Sequence, residues 1–134
     1  GYERLRAKMI AATKDPKSSF EHVMYKLGRS YVGFAASHAA LMGLMFARKH
    51  DEKASDEIRT TASSVYSIPV ECMRRGQAAG AVAAGDPARM LLPVFAALEG
   101  LIVIAHKGKV SGIPVESLVE EALEPVLFGL RPRK

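Results

Sequence analysis

Apolar residues recur along this sequence at intervals of three and four positions, the spacing that places side chains on one face of an α-helix. The pattern is clearest after Ser18, which with Glu21 three positions later predicts a capping box at a helix start. The apolar stripe of that helix consists of Phe20, Val23, Met24, Leu27, Tyr31 and Phe34. No segment shows a convincing strand pattern. The spacing therefore predicts an all-α fold.

Short polar or glycine-rich links divide this pattern into six predicted helices. They are expected over 2–14, 18 to about 37, about 38–49, 51 to about 76, 87–107 and 114–130. Asp51 is a candidate cap of the fourth helix, and Pro69 inside it predicts a kink near 65–68. Asp86 followed by Pro87 is the favoured opening of a further helix. The third helix is apolar on most faces and should be buried on most of them.

The last two helices are apolar on more sides than one domain needs. One side can pack on the rest of the chain, and the other can pair about a two-fold axis with a second copy to form a four-helix bundle. The opposite possibility is that both sides pack within one protomer. The residues expected at the dimer seam are Leu91, Leu98, Gly100, Leu101, Leu118, Ala122 and Val126.

The stretch "YVGFAASHAALMGLMF", residues 31–46, has a composition that fits either a helical core or the wall of a pocket. Methionine adapts to irregular ligands, but an aromatic and methionine stripe at helical spacing is also ordinary core. The candidate lining residues of this stretch are Tyr31, Phe34, His38, Met42, Met45 and Phe46. Both interpretations stay open on the sequence alone.

Further candidates lie on the fourth and fifth segments. Tyr66 has a hydroxyl that needs a partner if it is buried. Glu99 stands among apolar neighbours and should find a cation, a polar network or a ligand group, unless it lies at the surface. Met73 and Phe95 complete the candidate lining. His38 at a helix junction can instead bond to neighbouring backbone.

Composition narrows the class of protein. The 134 residues fit one domain, and the single cysteine, Cys72, cannot form a disulfide within the chain. The net charge of +5 sits mainly at the ends of the chain and at predicted helix ends, where cations complement the helix dipole. The stretch "LEGLIVIAH" is too short to span a membrane. These features predict a soluble cytoplasmic protein with no membrane association.

The sequence offers no recognisable catalytic constellation. The histidines lack metal-ligand spacing, and neither a G-x-S-x-G elbow nor a phosphate-binding loop is present. Cys72 lies on an apolar face beside Met73, which favours an inert thiol over a reactive sensor thiol. We therefore expect no enzyme activity, no metal site and no cofactor.

Several segments together resemble a known family. The order of helices, residues 31–46, the link "GQAAGAVAAGDP" and the pair "ALEGL" and "VLFGL" are similar to the C-terminal effector-binding domain of TetR-type bacterial transcription regulators. The sequence departs from the related group "Y..FA..HP.L..LMF" at Ala39, and it has Glu99 in "EGL" at a position resembling "HGL". No segment reads like the helix-turn-helix module of that family.

The resemblance implies one domain over 1–134. Residues 1–14 would be the lower part of the helix that connects to a DNA-binding module, 18–84 the pocket helices and 86–130 the dimerisation hairpin. It implies a homodimeric repressor that binds a hydrophobic or aromatic small-molecule effector and contacts DNA only through the N-terminal module. The ligand would act by moving the connecting helix. The alternative is a constitutive helical dimerisation module with a filled core and no effector.

Overall fold

The computed structural model describes residues 2–15, 17–37, 56–108 and 110–133, and these ranges contain helices and turns but no strand. The helices are α1 (Tyr2–Ala12), α2 (Phe20–Ser37), α3 (Asp56–Ala78), α4 (Pro87–Met90), α5 (Leu92–His106) and α6 (Val119–Gly129), with a 3-10 turn over Val115–Leu118. The predicted all-α fold is confirmed. The helix predicted at 38–49 and the predicted cap Asp51 lie outside the described residues.

The start of α2 is one residue later than the capping pattern predicted. Ser19, not Ser18, is the cap, since its Oγ accepts a hydrogen bond from the backbone N–H of His22 at 3.1 Å. Ser18 instead donates its hydroxyl to Asp15. Glu21 does not close a capping box, because its carboxylate accepts two hydrogen bonds from the Arg131 guanidinium, at 2.8 and 3.1 Å. That pair joins the start of α2 to the chain beyond α6.

The segment predicted over 87–107 contains two helices. Asp86 caps the first as expected, since its carboxylate accepts from the Ala88 N–H at 3.0 Å and Pro87 occupies the first turn. The helix is interrupted at Leu91, and α5 begins at the next residue. By contrast, α3 continues through Pro69 as a single helix.

Helix α2 is central to the described fold. It packs against α1, α3, α5, α6 and the 3-10 turn, while α5 and α6 form an antiparallel hairpin. The approach to α6 is close at Gly28, where an added Cβ would lie 3.0 Å from Val119 Cγ1 and 3.1 Å from Leu123 Cδ1. A glycine at this point lets the two helices pack without displacing either side chain.

Three of the predicted dimer-seam residues are instead buried inside the protomer. Leu91, just before α5, lies in the core, as do Leu98 and Leu101 with Val94 on the side of α5 that faces the core. A side chain buried in its own core offers little surface to a partner, and these three positions stay predictions of the dimer seam. Leu118, Ala122 and Val126 of the predicted seam are half-buried and pack against the core.

The opposite side of α5 leaves a broad apolar surface exposed. Leu92 is 64% exposed and Val103 49%, and Ala96 is exposed between them. An added Cβ at Gly100 would meet no atom within 4 Å. On the adjacent α6, Phe128 is 66% exposed. We call these residues of the two helices, Leu92, Ala96, Gly100, Val103 and Phe128, the hairpin face.

The same two-sided apolar character gives one stretch the length and composition of a membrane span. Pro87–His106 passes that test with a mean hydropathy of 1.9, although only 22% of its best window is buried. The sequence-based expectation of a stretch too short to span a membrane was therefore too strict. Core packing by one side of α5 and exposure of the other account for this composition.

Cys72 provides a test of the core at alkaline pH. Burial raises the pKa of its thiol from 9.0 to about 11, although the charge of Arg75 lowers it slightly. The folded state thus holds the thiol proton more tightly than the unfolded state, so stability is retained below pH 9 and falls as pH rises towards 11. By pH 11 we expect this thiol to cost roughly 2 kcal/mol of the free energy of unfolding. Urea denaturation of wild type and Cys72→Ala between pH 9 and 11 should show that the free energy of unfolding falls less steeply with pH in the variant.

Candidate ligand pocket and its aromatic rim

A small apolar cavity lies where α1, α2, α3 and the α4–α5 segment meet. Its volume is about 20 Å³, close to that of one water molecule. Its wall is formed by Met9, Met24, Leu27, Gly28, Tyr31, Pro69, Leu91, Val94, Phe95 and Leu98. Apart from the Tyr31 hydroxyl, every side chain in this wall is without an oxygen or nitrogen atom. The lining therefore favours an apolar occupant.

An aromatic cluster lies at one end of the cavity and includes two of its wall residues. The rings of Tyr31 and Phe95 meet edge to face with centroids 5.7 Å apart. Tyr66, on α3, contacts Phe95 at 4.9 Å in a tilted arrangement. Both distances fall in the range in which aromatic pairs attract. We call Tyr31, Tyr66, Phe95 and the neighbouring Glu99 the aromatic rim.

Glu99 joins this rim through a hydrogen bond. The buried Tyr31 donates its hydroxyl to Glu99 Oε1, although 68 positions separate the two residues. Glu99 itself is exposed, one helical turn after Phe95 on α5. The rim therefore reaches from the cavity wall, at Tyr31, to the surface, at Tyr66 and Glu99.

The electrostatics of the rim keep both tyrosines protonated. Burial, followed by the hydrogen bond to Glu99 and its negative charge, raises the pKa of Tyr31 far above its ordinary value. Burial and the charge of Glu99 also raise the pKa of Tyr66. Both hydroxyls are therefore neutral near pH 7, and the rim carries the single negative charge of Glu99.

Comparison with known proteins identifies the family of this chain. Residues 24–127 match the family described as "Tetracyclin repressor-like, C-terminal domain". The chain belongs to this family. The match includes α3 to α5 and most of α2 and α6, and so every residue of the aromatic rim. No curated protein matches the sequence.

The tetracycline repressor-like domain has a solved structural relative. It is a protein with unknown function from Rhodococcus sp. RHA1, with a TM-score of 0.83 and 29% sequence identity. The similarity covers 97% of this chain and 68% of that chain. The fold predicted from the family resemblance is thus shared over almost the whole sequence.

The structure brings together four of the ten predicted ligand residues of this TetR-like domain. Tyr31 and Phe95 line the cavity, and Tyr66 and Glu99 complete its rim. The remaining candidates that fall in the described residues are placed elsewhere. Met73 is fully buried in the core and is not part of the cavity wall, and its role as a ligand contact stays a prediction. His38, Met42, Met45 and Phe46 lie outside the described residues.

Phe34 is also separated from the cavity. It lines a different groove of about 440 Å³ between α1 and α2, together with the cations of Arg4, Lys8 and Arg29. Phe34 follows Tyr31 by three positions on α2, yet the two residues line different grooves. Phe34 is not part of the described cavity wall, and its role as a ligand contact stays a prediction.

Sequence reasoning missed several wall residues. Met9 was assigned only to a connecting helix, and Leu91 and Leu98 to a dimer seam, yet all three line the cavity. Its walls thus come from all three ranges that the sequence divided by role, 1–14, 18–84 and 86–130. Helical spacing identifies such residues as apolar, but it cannot say which helices meet.

The described residues offer no metal site and no buried polar side-chain atom without a partner. They contain no group of three His, Cys, Asp or Glu side chains able to hold a metal ion. Within the same residues, every buried side-chain nitrogen or oxygen has a hydrogen-bond partner. The cavity and its aromatic rim are therefore the best candidate for a functional site.

Proposed function

We propose that this chain is the effector-sensing and dimerisation domain of a TetR-like bacterial transcriptional repressor. The effector is a hydrophobic or aromatic small molecule bound in the cavity. The observation that carries the proposal is the contribution of Met9, from α1, to a cavity otherwise formed by the pocket helices and the hairpin. A ligand in this cavity contacts α1 directly.

The small volume of the cavity supports a mechanical link between binding and helix position. A space of about 20 Å³ does not hold an aromatic molecule, so the walls must separate when one binds. Met9 lies on one of those walls, and its displacement moves α1. Preferential binding to the displaced arrangement by about 1–3 kcal/mol is enough to shift the population. In the intact regulator, α1 would transmit this shift to an N-terminal DNA-binding module, through which alone the protein contacts DNA.

The hairpin face supports the dimerisation part of the proposal. Exposed apolar patches of this kind on soluble proteins mark sites of association. An antiparallel pair of helices with an apolar outer side is self-complementary about a two-fold axis. We propose that two copies pair through this face in a cytoplasmic homodimer that is not an enzyme, needs no cofactor and does not associate with membranes.

One observation favours a second candidate function. A cavity of about 20 Å³ is also what a filled core would show, which suits a constitutive dimerisation module without an effector. The two candidates differ in whether the cavity opens for any small molecule. NMR signals of the methionine methyl groups can distinguish the two candidates.

Methyl-labelled methionine and NMR spectroscopy test the proposed pocket. We expect hydrophobic aromatic fragments to shift the methyl signals of Met9 and Met24, which line the cavity. The signal of Met90, which contacts Gln77 away from the cavity, serves as an internal control. Shifts confined to Met90, or no shift from any fragment, would favour the constitutive module.

A further inference from the structure

Glu99 is a carboxylate whose partner among the described residues is a neutral group. It accepts a hydrogen bond from Tyr31, and no lysine, arginine or histidine of the described residues forms an ion pair with it. The other carboxylates that bridge helices behave differently, since Glu120 pairs with Arg29 and Glu21 with Arg131. The negative charge at the rim is therefore not neutralised by a described side chain.

Three aromatic rings share the rim with this charge. The faces of Tyr and Phe rings carry negative electrostatic potential that attracts cations within about 6 Å. Phe95 is one helical turn from Glu99 and contacts both tyrosine rings, and Tyr66 is 37% exposed beside them. A positive group next to Glu99 is thus attracted by the carboxylate and by the rings together.

The same arrangement disfavours other ligand chemistries at this position. An anionic group is repelled by Glu99. A neutral hydrogen-bond donor on a ligand would gain little affinity from Glu99, because the Tyr31 hydroxyl already donates to this carboxylate. A hydrated inorganic cation has no further oxygen cluster to hold it among the described residues.

Resting on the proposed function, we infer that the effector is an amphiphilic amine. Its protonated or quaternary ammonium group lies between Glu99 and the ring of Tyr66, and its apolar body enters the cavity past Tyr31 and Phe95. Those two residues belong to both the cavity wall and the rim, so one molecule can occupy both. Glu99 acts as the specificity-determining residue of the pocket.

Calorimetric titration with a matched probe pair tests this inference. Phenyltrimethylammonium and tert-butylbenzene have the same shape and differ in a positively charged nitrogen against a neutral carbon. We expect the wild-type chain to bind the ammonium roughly tenfold more tightly, a preference of the size expected for a cation near aromatic rings and one carboxylate. The preference should shrink in about 0.5 M NaCl, because salt screens an exposed charge.

Glu99→Gln separates the charge from the shape of the site, because the amide oxygen still accepts from Tyr31. This variant should bind both probes with affinities within about twofold of each other, and its affinity for tert-butylbenzene should match wild type. Glu124→Gln, at an exposed carboxylate of α6, removes the same charge elsewhere and should keep the full preference.

The outcomes distinguish this inference from the proposed pocket. Equal or tighter binding of tert-butylbenzene by the wild type overturns the amine inference and leaves an apolar pocket. A preference for the ammonium that survives in Glu99→Gln also overturns the amine inference, since a group other than Glu99 would then recognise the positive charge. If neither probe binds, the proposed pocket fails together with the inference.

Discussion

Replacing Ala96 with glutamate is expected to convert the proposed dimer to monomers. Ala96 lies in the hairpin face, between Leu92 and Gly100, and it is exposed in the protomer. Pairing through this face would bury the new carboxylate without a partner, close to the Glu99 carboxylate three positions further along α5, and the two-fold axis would bury it twice. Sedimentation equilibrium should show a dimer dissociation constant raised by roughly 100-fold or more, equivalent to about 2.7 kcal/mol.

The position makes this a clean test of association. Glutamate at the half-buried Leu118 or Val126 would disturb the core as well as the seam, whereas the exposed Ala96 has no core contact to lose. Ala7→Glu, at an exposed alanine within α1, is the matched control and should leave the dissociation constant unchanged. An Ala96→Glu variant that dimerises like wild type would show that the seam lies elsewhere.

Replacing Met9 with alanine should have the largest effect on folding stability. Met9 is only 2% exposed and occupies the cavity wall, so truncation loses its buried contacts and enlarges the cavity. We expect a loss of about 2–4 kcal/mol in the free energy of unfolding, measured by urea denaturation. An enlarged apolar cavity binds small apolar molecules, so added benzene should restore part of that loss.

Met90→Ala is the matched control for this prediction. Met90 is half-buried near Gly85 and lies outside the cavity, so the same truncation should cost about 1 kcal/mol and benzene should not reverse it. Equal losses at the two methionines, or no benzene effect at Met9→Ala, would contradict the placement of Met9 in the cavity wall.

The helices of this protein could largely be predicted from local signals. Spacing of apolar residues gave the all-α fold, and Asp86 with Pro87 marked a helix start that the structure confirms. The error at the start of α2 has a local cause, since Ser18 and Ser19 are both suitable caps. Glu21 could not reveal that it pairs with Arg131, because that contact joins residues 110 positions apart.

The candidate site was only partly predictable. Aromatic and acidic residues drew attention to Tyr31, Tyr66, Phe95 and Glu99, since such side chains need partners when an apolar chain folds around them. Nothing in the spacing paired Tyr31 with Glu99, and nothing linked Met9 to the same cavity. These relations depend on how α1, α2, α3 and α5 cross.

The sequence by itself determined that the chain folds into helices and that α5 is apolar on two sides. Only the tertiary structure decided which side is which: Leu91, Leu98 and Leu101 enter the core, while Leu92, Ala96 and Val103 remain at the surface. The physical reason is that a helical repeat fixes which residues share a face. The neighbouring helices, above all α2 and α6, then fix which face is buried.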